Sequence, residues 1–313
     1  MSDIKVKYGT GWLRDWPDSR DYTPEKDTIS PKLKELGQKD SIKAMIRKVG
    51  AEKPKKELPA SIDLRPWCSP IENQLSLGSC TAHAGIGLVE YFERRSFGKH
   101  IDASRLFLYK TTRNMLHWTG DTGAFLRTTM GAMSIFGVPP EEYWPYNPFD
   151  TMPTFNTPMF DTEPPAFCYS FAQNFKAISY YRLDFPGTSP NALLGRIKTF
   201  LAAGLPSMFG FTVFSSIDQA DTTGKIPFPM AGDRIVGGHA VDAVGYDDNM
   251  KIQNTNPGGI TTTGALLIRN SWGNGWGSLG YGWLPYDYIL KELATDWWSL
   301  LKNEWIDTGV FKI

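Results

Sequence analysis

Apolar residues crowd the stretch that follows Cys80, where Ala82, Ala84, Ile86, Leu88, Val89 and Phe92 lead to Gly98. That run predicts a largely buried helix with Cys80 in its first turn and a glycine closing it. Ile235 to Tyr246 is apolar and rich in Val and Gly, and Leu266-Leu267-Ile268-Arg269-Asn270 is a shorter apolar run; both predict strands. Ala124 to Phe136 predicts a second helix, ended by Gly137 and the Pro139-Pro140 pair. Further on, Ala177 to Leu183 predicts a strand, Asn191 to Ala203 a helix behind Ser189-Pro190, and Ser207 to Phe214 a strand. Asn147 to Pro165, rich in Pro, Thr and Phe, is expected to be a long surface loop, and Asp218 to Pro229 a mobile loop near a cleft.

The first 57 residues differ from the rest. They hold 14 Lys and Arg against 10 Asp and Glu, leaving 19 against 23 in residues 58–313, although the 313-residue chain is neutral overall. Trp12-Leu13-Arg14-Asp15-Trp16-Pro17-Asp18 places two tryptophans in a turn-prone stretch, and Ser41 to Val49 predicts a short amphipathic helix ahead of a charged linker, Glu52 to Glu57. Tryptophan pairs are unusual in a free tail. The reading is therefore an extension, residues 1–57, that docks on a domain of residues 58–313, with Trp12 and Trp16 as apolar anchors and charge complementarity assisting.

Three residues carry the chemistry. Cys80 follows Asn73-Gln74-Leu75-Ser76-Leu77-Gly78-Ser79; His239 lies in Gly237-Gly238-His239-Ala240; Asn270 opens Asn270-Ser271-Trp272-Gly273. A thiol nucleophile, an imidazole base and an amide to orient the base suit acyl transfer through a thioester. Gln74, six residues before Cys80, can supply a side-chain donor beside the Cys80 N–H for an oxyanion. Gly78 lets a substrate backbone approach closely, and the helix N-terminus favours a thiolate paired with the imidazolium of His239. The small residues Gly237, Gly238 and Ala240 leave room for a bulky apolar side chain. His83, His100 and His117 are read as structural, and no spacing suits a metal site.

These blocks resemble the papain family of cysteine peptidases. Leu58-Pro59-Ala60-Ser61-Ile62-Asp63-Leu64-Arg65 is similar to the start of a mature enzyme, Ile71-Glu72-Asn73-Gln74 to the segment with the oxyanion glutamine, and Asn270 to Gly277 with Gly280-Tyr281 is the most specific match. The resemblance implies an α+β, two-lobed papain-like fold: a helical lobe bearing the nucleophile and an antiparallel, barrel-like lobe bearing His239 and Asn270. It further implies that Trp272 shields the His239–Asn270 contact, that Gly123 hydrogen-bonds the substrate backbone, and that Gly78, Ser79, Gly238 and Ala240 flank the substrate. Thr81 replaces the usual aromatic and Leu77 the usual half-cystine, so the disulfide beside the active site is absent.

The expected activity is peptide hydrolysis, endopeptidase favoured, from a latent zymogen, with a peptide or protein substrate, the N-terminal segment as intramolecular inhibitor, and no cofactor. An inactive or permanently blocked binding protein and a restricted exopeptidase are the alternatives. Zero net charge argues against nucleic acid as principal partner. The chain has no run of about 18 apolar residues to span a membrane. Met1 to Thr10 lacks the apolar core of a signal peptide, so the expectation is a cytoplasmic protein or one exported by an unrecognised route. Of Cys68, Cys80 and Cys168, at most one pair can be bridged.

Overall fold

The computed structural model describes residues 8–53, 57–152, 157–173 and 179–311. Helices α1 (Pro31–Glu35) and α2 (Ile42–Lys48) belong to the N-terminal extension. Strand β1 (Ser61–Asp63) leads into the helical lobe of α3 (Cys80–Phe97), α4 (Arg105–Met115) and α5 (Leu126–Phe136), with the small hairpin β2 (Thr151–Met152) and β3 (Thr157–Pro158) and helix α6 (Ala166–Ala172) beyond. The second lobe follows as β4 (Ser179–Arg182), α7 (Pro190–Ala202), β5 (Ser207–Phe214), β6 (Ile235–Gln253), β7 (Thr261–Arg269), β8 (Tyr281–Pro285), α8 (Asp287–Leu290), β9 (Ala294–Leu301) and α9 (Asn303–Ile306).

The apolar run after Cys80 forms α3, buried over most of its length and closed by Gly98 in the left-handed region (φ 73°). It packs against α4, α5, β5 and β6 and so forms the wall between the lobes. The sheet is antiparallel throughout, in the order β4-β9-β5-β6-β7-β8, with β1 paired to β6. Strand β6 sits centrally and is buried from His239 to Tyr246, which explains a continuous apolar run instead of alternation. Register places His239 opposite Phe211, and Asp242 opposite Arg269, one residue before Asn270.

Two expectations about loops change. Asn147 to Pro165 contains the β2–β3 hairpin. The stretch expected to be mobile, Asp218 to Pro229, is pinned to β8: Trp283 N–H donates to Gly224 O (2.7 Å) and Ile226 N–H to Trp283 O (3.0 Å), with Ile226 buried. The pattern also gave no hint of β9, whose Trp297 and Trp298 are fully buried.

The extension is not a tail. After crossing between the lobes it pairs with β4, Arg182 N–H donating to Tyr22 O at 2.7 Å. Helix α2, capped by the Ser41 hydroxyl, buries Ile42, Met45 and Ile46, and Val49 and Ala51 after it are buried too. Asn303 Oδ1 accepts from the N–H groups of Lys39 (2.9 Å) and Asp40 (3.0 Å), tying this part to the chain's C-terminal region.

Candidate active site

Cys80 is the first residue of α3 and is fully buried. The loop before it is held from several directions. Gln74 N–H donates to Ser271 O (2.8 Å), and its side-chain Oε1 accepts from the Ser271 hydroxyl (2.6 Å). That fixes the amide so that Nε2 donates to Leu77 O (2.8 Å) and to Gly9 O (3.1 Å). The Tyr146 hydroxyl donates to Gln74 O (3.0 Å) and lies 2.6 Å from Ser79 Oγ.

Across the cleft, His239 Nε2 is 2.7 Å from Asn270 Oδ1. The same oxygen accepts the Ser271 N–H (2.8 Å), so it is an acceptor and Nε2 carries the proton. Nδ1 is thereby the basic nitrogen, and it is buried with no hydrogen-bond partner among the described residues. Trp272 stacks on the imidazole with ring centroids 4.3 Å apart and meets Trp276 edge-on at 5.3 Å.

The N-terminal segment runs through this cleft. Tyr8 also stacks on Trp272 (4.5 Å) and its hydroxyl donates to Asp221 (3.0 Å). The Gly9 carbonyl receives both the Gln74 amide and the Trp272 indole N–H (3.1 Å). Gly11 and Trp12 N–H groups donate to Gly238 O (each 3.0 Å), Ala124 N–H donates to Gly11 O (2.8 Å), and Leu13 N–H to Ala124 O (3.1 Å), a parallel bridge. The Trp12 ring occupies the space above Gly210 and Gly238: a Cβ built on Gly210 would lie 1.9 Å from the ring, and one on Gly238 2.4 Å from the Trp12 carbonyl oxygen. At the pocket's inner end Trp12 Nε1 donates to Asp296 Oδ2 at 3.0 Å.

This cover sets the electrostatics. Burial pushes the Cys80 thiol up to about 11, against the pull of nearby backbone N–H groups, those of Ala240 and Gly11 foremost. It pushes the His239 imidazole down to about 4, with the Asn270 hydrogen bond acting the other way. In the covered cleft burial thus favours the neutral form of each group and works against the thiolate–imidazolium pair expected from the helix N-terminus. Burial likewise raises Asp296 to about 7, opposed by Arg182 and the indoles of Trp12 and Trp298.

Several sequence expectations shift. The backbone pairing assigned to Gly123 falls to Ala124 for the N-terminal segment, while Gly123 N–H donates to the Tyr109 hydroxyl (3.0 Å). Gly78 does face a chain closely: its absent Cβ would lie 3.2 Å from Thr10 O and 3.4 Å from Gly11 Cα. Trp12 is buried, but Trp16 is 67% exposed under the Arg14 guanidinium and anchors nothing through its ring. The charge pairing runs both ways: Asp15 and Asp21 of the extension meet Arg127 of the body, while Lys48 of the extension meets Asp307 at 3.1 Å. Cys68 and Cys168 are buried and unpaired. Asp121, Ala124 and Asp296 escaped the sequence reading, since nothing local marks them.

The sequence profile of the papain family cysteine proteases matches residues 58–289. An uncharacterized peptidase C1-like protein of Acanthamoeba polyphaga mimivirus is 31% identical over 311 residues, covering 96% of this chain and 89% of that protein. Xylellain, a cysteine protease from Xylella fastidiosa, superposes with a TM-score of 0.70 at 30% identity, covering 95% of this chain and 97% of that one. Procathepsin B S9 from Trypanosoma congolense, at 15% identity, shares the fold with a TM-score of 0.60 over 95% of this chain and 86% of its own. The chain belongs to the papain family of cysteine proteases and is a hydrolase acting on peptide bonds.

Proposed function

We propose that the chain is an endopeptidase held latent by its own N-terminal residues 8–16, with Cys80 as nucleophile, His239 as general base and acid, and Asn270 as the group that orients the imidazole. Once the cleft opens, water and the helix N-terminus favour the charged pair. The Cys80 sulfur then bonds to a peptide carbonyl carbon; the oxyanion is held by the Cys80 N–H and the Gln74 amide. His239 passes a proton to the leaving amine, and water resolves the thioester.

One observation carries the latency reading: the groups a substrate needs are already engaged by the chain itself. The Gln74 donor is on Gly9 O, the edge at Ala124 is paired to Gly11 and Leu13, and the pocket beside Gly238 holds Trp12. Endopeptidase action is supported because this chain lies on both sides of Cys80, from Trp272 to Ala124, so the groove admits a through-running peptide. Residues 58–313 form the peptidase domain in this reading, and the extension divides into a blocking part and a docked part around α2.

The test compares full-length protein with a chain beginning near Asp21 on a small peptide substrate, with Cys80→Ala as control. Faster turnover by the shortened chain, lost in Cys80→Ala, supports the proposal. Equal turnover would refute latency, and activity in Cys80→Ala would refute the nucleophile.

A further inference from the structure

We infer that Asp121 is a positioning residue, a carboxylate clamp that sets the spacing between the loop preceding Cys80 and the backbone edge at Gly123–Ala124. The inference rests on the reading of Cys80 as nucleophile. Asp121 Oδ1 and Oδ2 accept the Gly78 N–H at 3.0 and 3.1 Å, and Oδ1 also accepts the Tyr109 hydroxyl proton at 2.6 Å. Tyr109, fully buried on α4, accepts in turn the Gly123 N–H at 3.0 Å. One carboxylate and one phenol thus join three chain segments: the nucleophile loop, α4 and the loop 120–124.

The foundation under this clamp is rigid. Arg113, also on α4, lies over the Tyr109 ring (4.2 Å), donates to Gly120 O, and pairs with Asp161 (2.9 Å), which itself accepts the Gly120 N–H (2.9 Å). The loop 120–124 is therefore fastened to α4 at both ends, and Asp121 reaches from it to Gly78. All three cysteines of the chain are unpaired, so no covalent tie does this work.

The two edges joined by Asp121 grip the same residue of the bound chain. A Cβ on Gly78 would lie 3.4 Å from Gly11 Cα, and one on Gly123 2.2 Å from Gly11 O. The separation between these edges decides whether an extended backbone sits at hydrogen-bond distance from Ala124 while its carbonyl reaches Gln74 and Cys80. Loss of the clamp should spoil peptide placement and leave the thiol itself accessible, because Cys80 is also held by α3 and by the Tyr146 contacts to Gln74 and Ser79.

The experiment uses Asp121→Ala, Asp121→Asn and Tyr109→Phe, each in a chain activated by removal of residues 1–20, with Cys80→Ala as control. For Asp121→Ala the expected result is a fall of at least about tenfold in kcat/KM on a peptide substrate, with Cys80 alkylation by iodoacetamide changed less than about threefold. Asp121→Asn, which keeps an acceptor, should recover part of the loss, and Tyr109→Phe should lose activity in the same sense. Unchanged kcat/KM in Asp121→Ala would overturn the inference. So would equal falls in peptide cleavage and alkylation together with a lowered Tm, which would mark a role in stability alone. Peptide cleavage by Cys80→Ala would instead reject the nucleophile on which the inference rests.

Discussion

Trp12 Nε1 donates to Asp296 Oδ2 at 3.0 Å, a buried contact that joins the N-terminal extension to β9 across 284 residues of sequence. Asp296 holds a left-handed backbone (φ 63°) and also accepts the Trp298 indole (2.7 Å), with Arg182 at 3.3 Å. The buried Asp296 side chain thus receives two indole N–H donors, one from each end of the chain, with the Arg182 guanidinium close by. The ring itself supplies the apolar burial.

Trp12 and Trp16 should therefore differ sharply. Truncating a fully buried tryptophan costs about 3–5 kcal/mol, so Trp12→Ala in the full-length chain should raise peptide turnover at least about tenfold. Trp16→Ala, which removes an exposed ring, should leave turnover within about twofold. Initial rates of the three full-length proteins decide this; equal rates for Trp12→Ala and the parent would show that the ring does not hold the segment.

The place at which the extension is cut matters as much as its removal. A chain starting near Asp21 keeps α2, and should fold and be active. A chain starting at Leu58 loses Ile42, Met45, Ile46, Val49 and Ala51 from the core. Each such residue is typically worth about 2–5 kcal/mol when truncated, so the shorter chain should show a Tm lower by 10 °C or more, on the order expected for several kcal/mol. Thermal unfolding of both chains is the measurement. Equal Tm values would mean that the α2 region is dispensable.

The reactivity of Cys80 should depend on pH steeply in the covered form and weakly in the opened one. Its thiol is raised to about 11 in the covered cleft, so at pH 7 only about one part in ten thousand is thiolate. Alkylation of the full-length chain should rise tenfold per pH unit from pH 7 to 9, with no neutral plateau. The chain lacking residues 1–20 should alkylate rapidly down to mildly acidic pH, and His239→Ala in that background should lose the acid limb. Superimposable profiles for covered and opened proteins would contradict the burial argument.

How far the sequence foretold this site depends on the range of each determinant. The helix of Cys80, the strand of His239 and the strand that ends just before Asn270 were legible because each lies in its own apolar run, and Gln74 and Trp272 because they sit within a few residues of Cys80 and Asn270. Asp121 and Gly78 are 43 residues apart, and Trp12 and Asp296 are 284 apart; neither pair leaves a local pattern. Trp12 and Trp16 are indistinguishable by composition, and only the bridge at Ala124 decides which ring faces inward. Strand β9 was hidden because Thr295 and Asp296 interrupt its apolar run, and the acid is accommodated by a partner set assembled from Arg182, Trp12 and Trp298.

Gly210 offers a test that separates latency from pocket size. It lies in β5 without a positive φ, and the three nearest atoms to an added Cβ all belong to Trp12, the first at 1.9 Å. Gly210→Ala therefore meets the indole before anything else, and overpacking of this kind costs about 1–3 kcal/mol. In the full-length chain the substitution should loosen the segment and raise basal turnover about tenfold or more, 1.4 kcal/mol being a factor of ten. In the opened chain it should lower kcat/KM for peptides that place a Trp or Tyr in this pocket by a similar factor, while peptides with Val or Ala there are affected less than about threefold. Opposite signs of one substitution in two forms of one protein are hard to obtain from a general loss of stability. A parallel fall in both forms, or no change in aromatic preference, would mean that the space above Gly210 serves the extension and not the substrate.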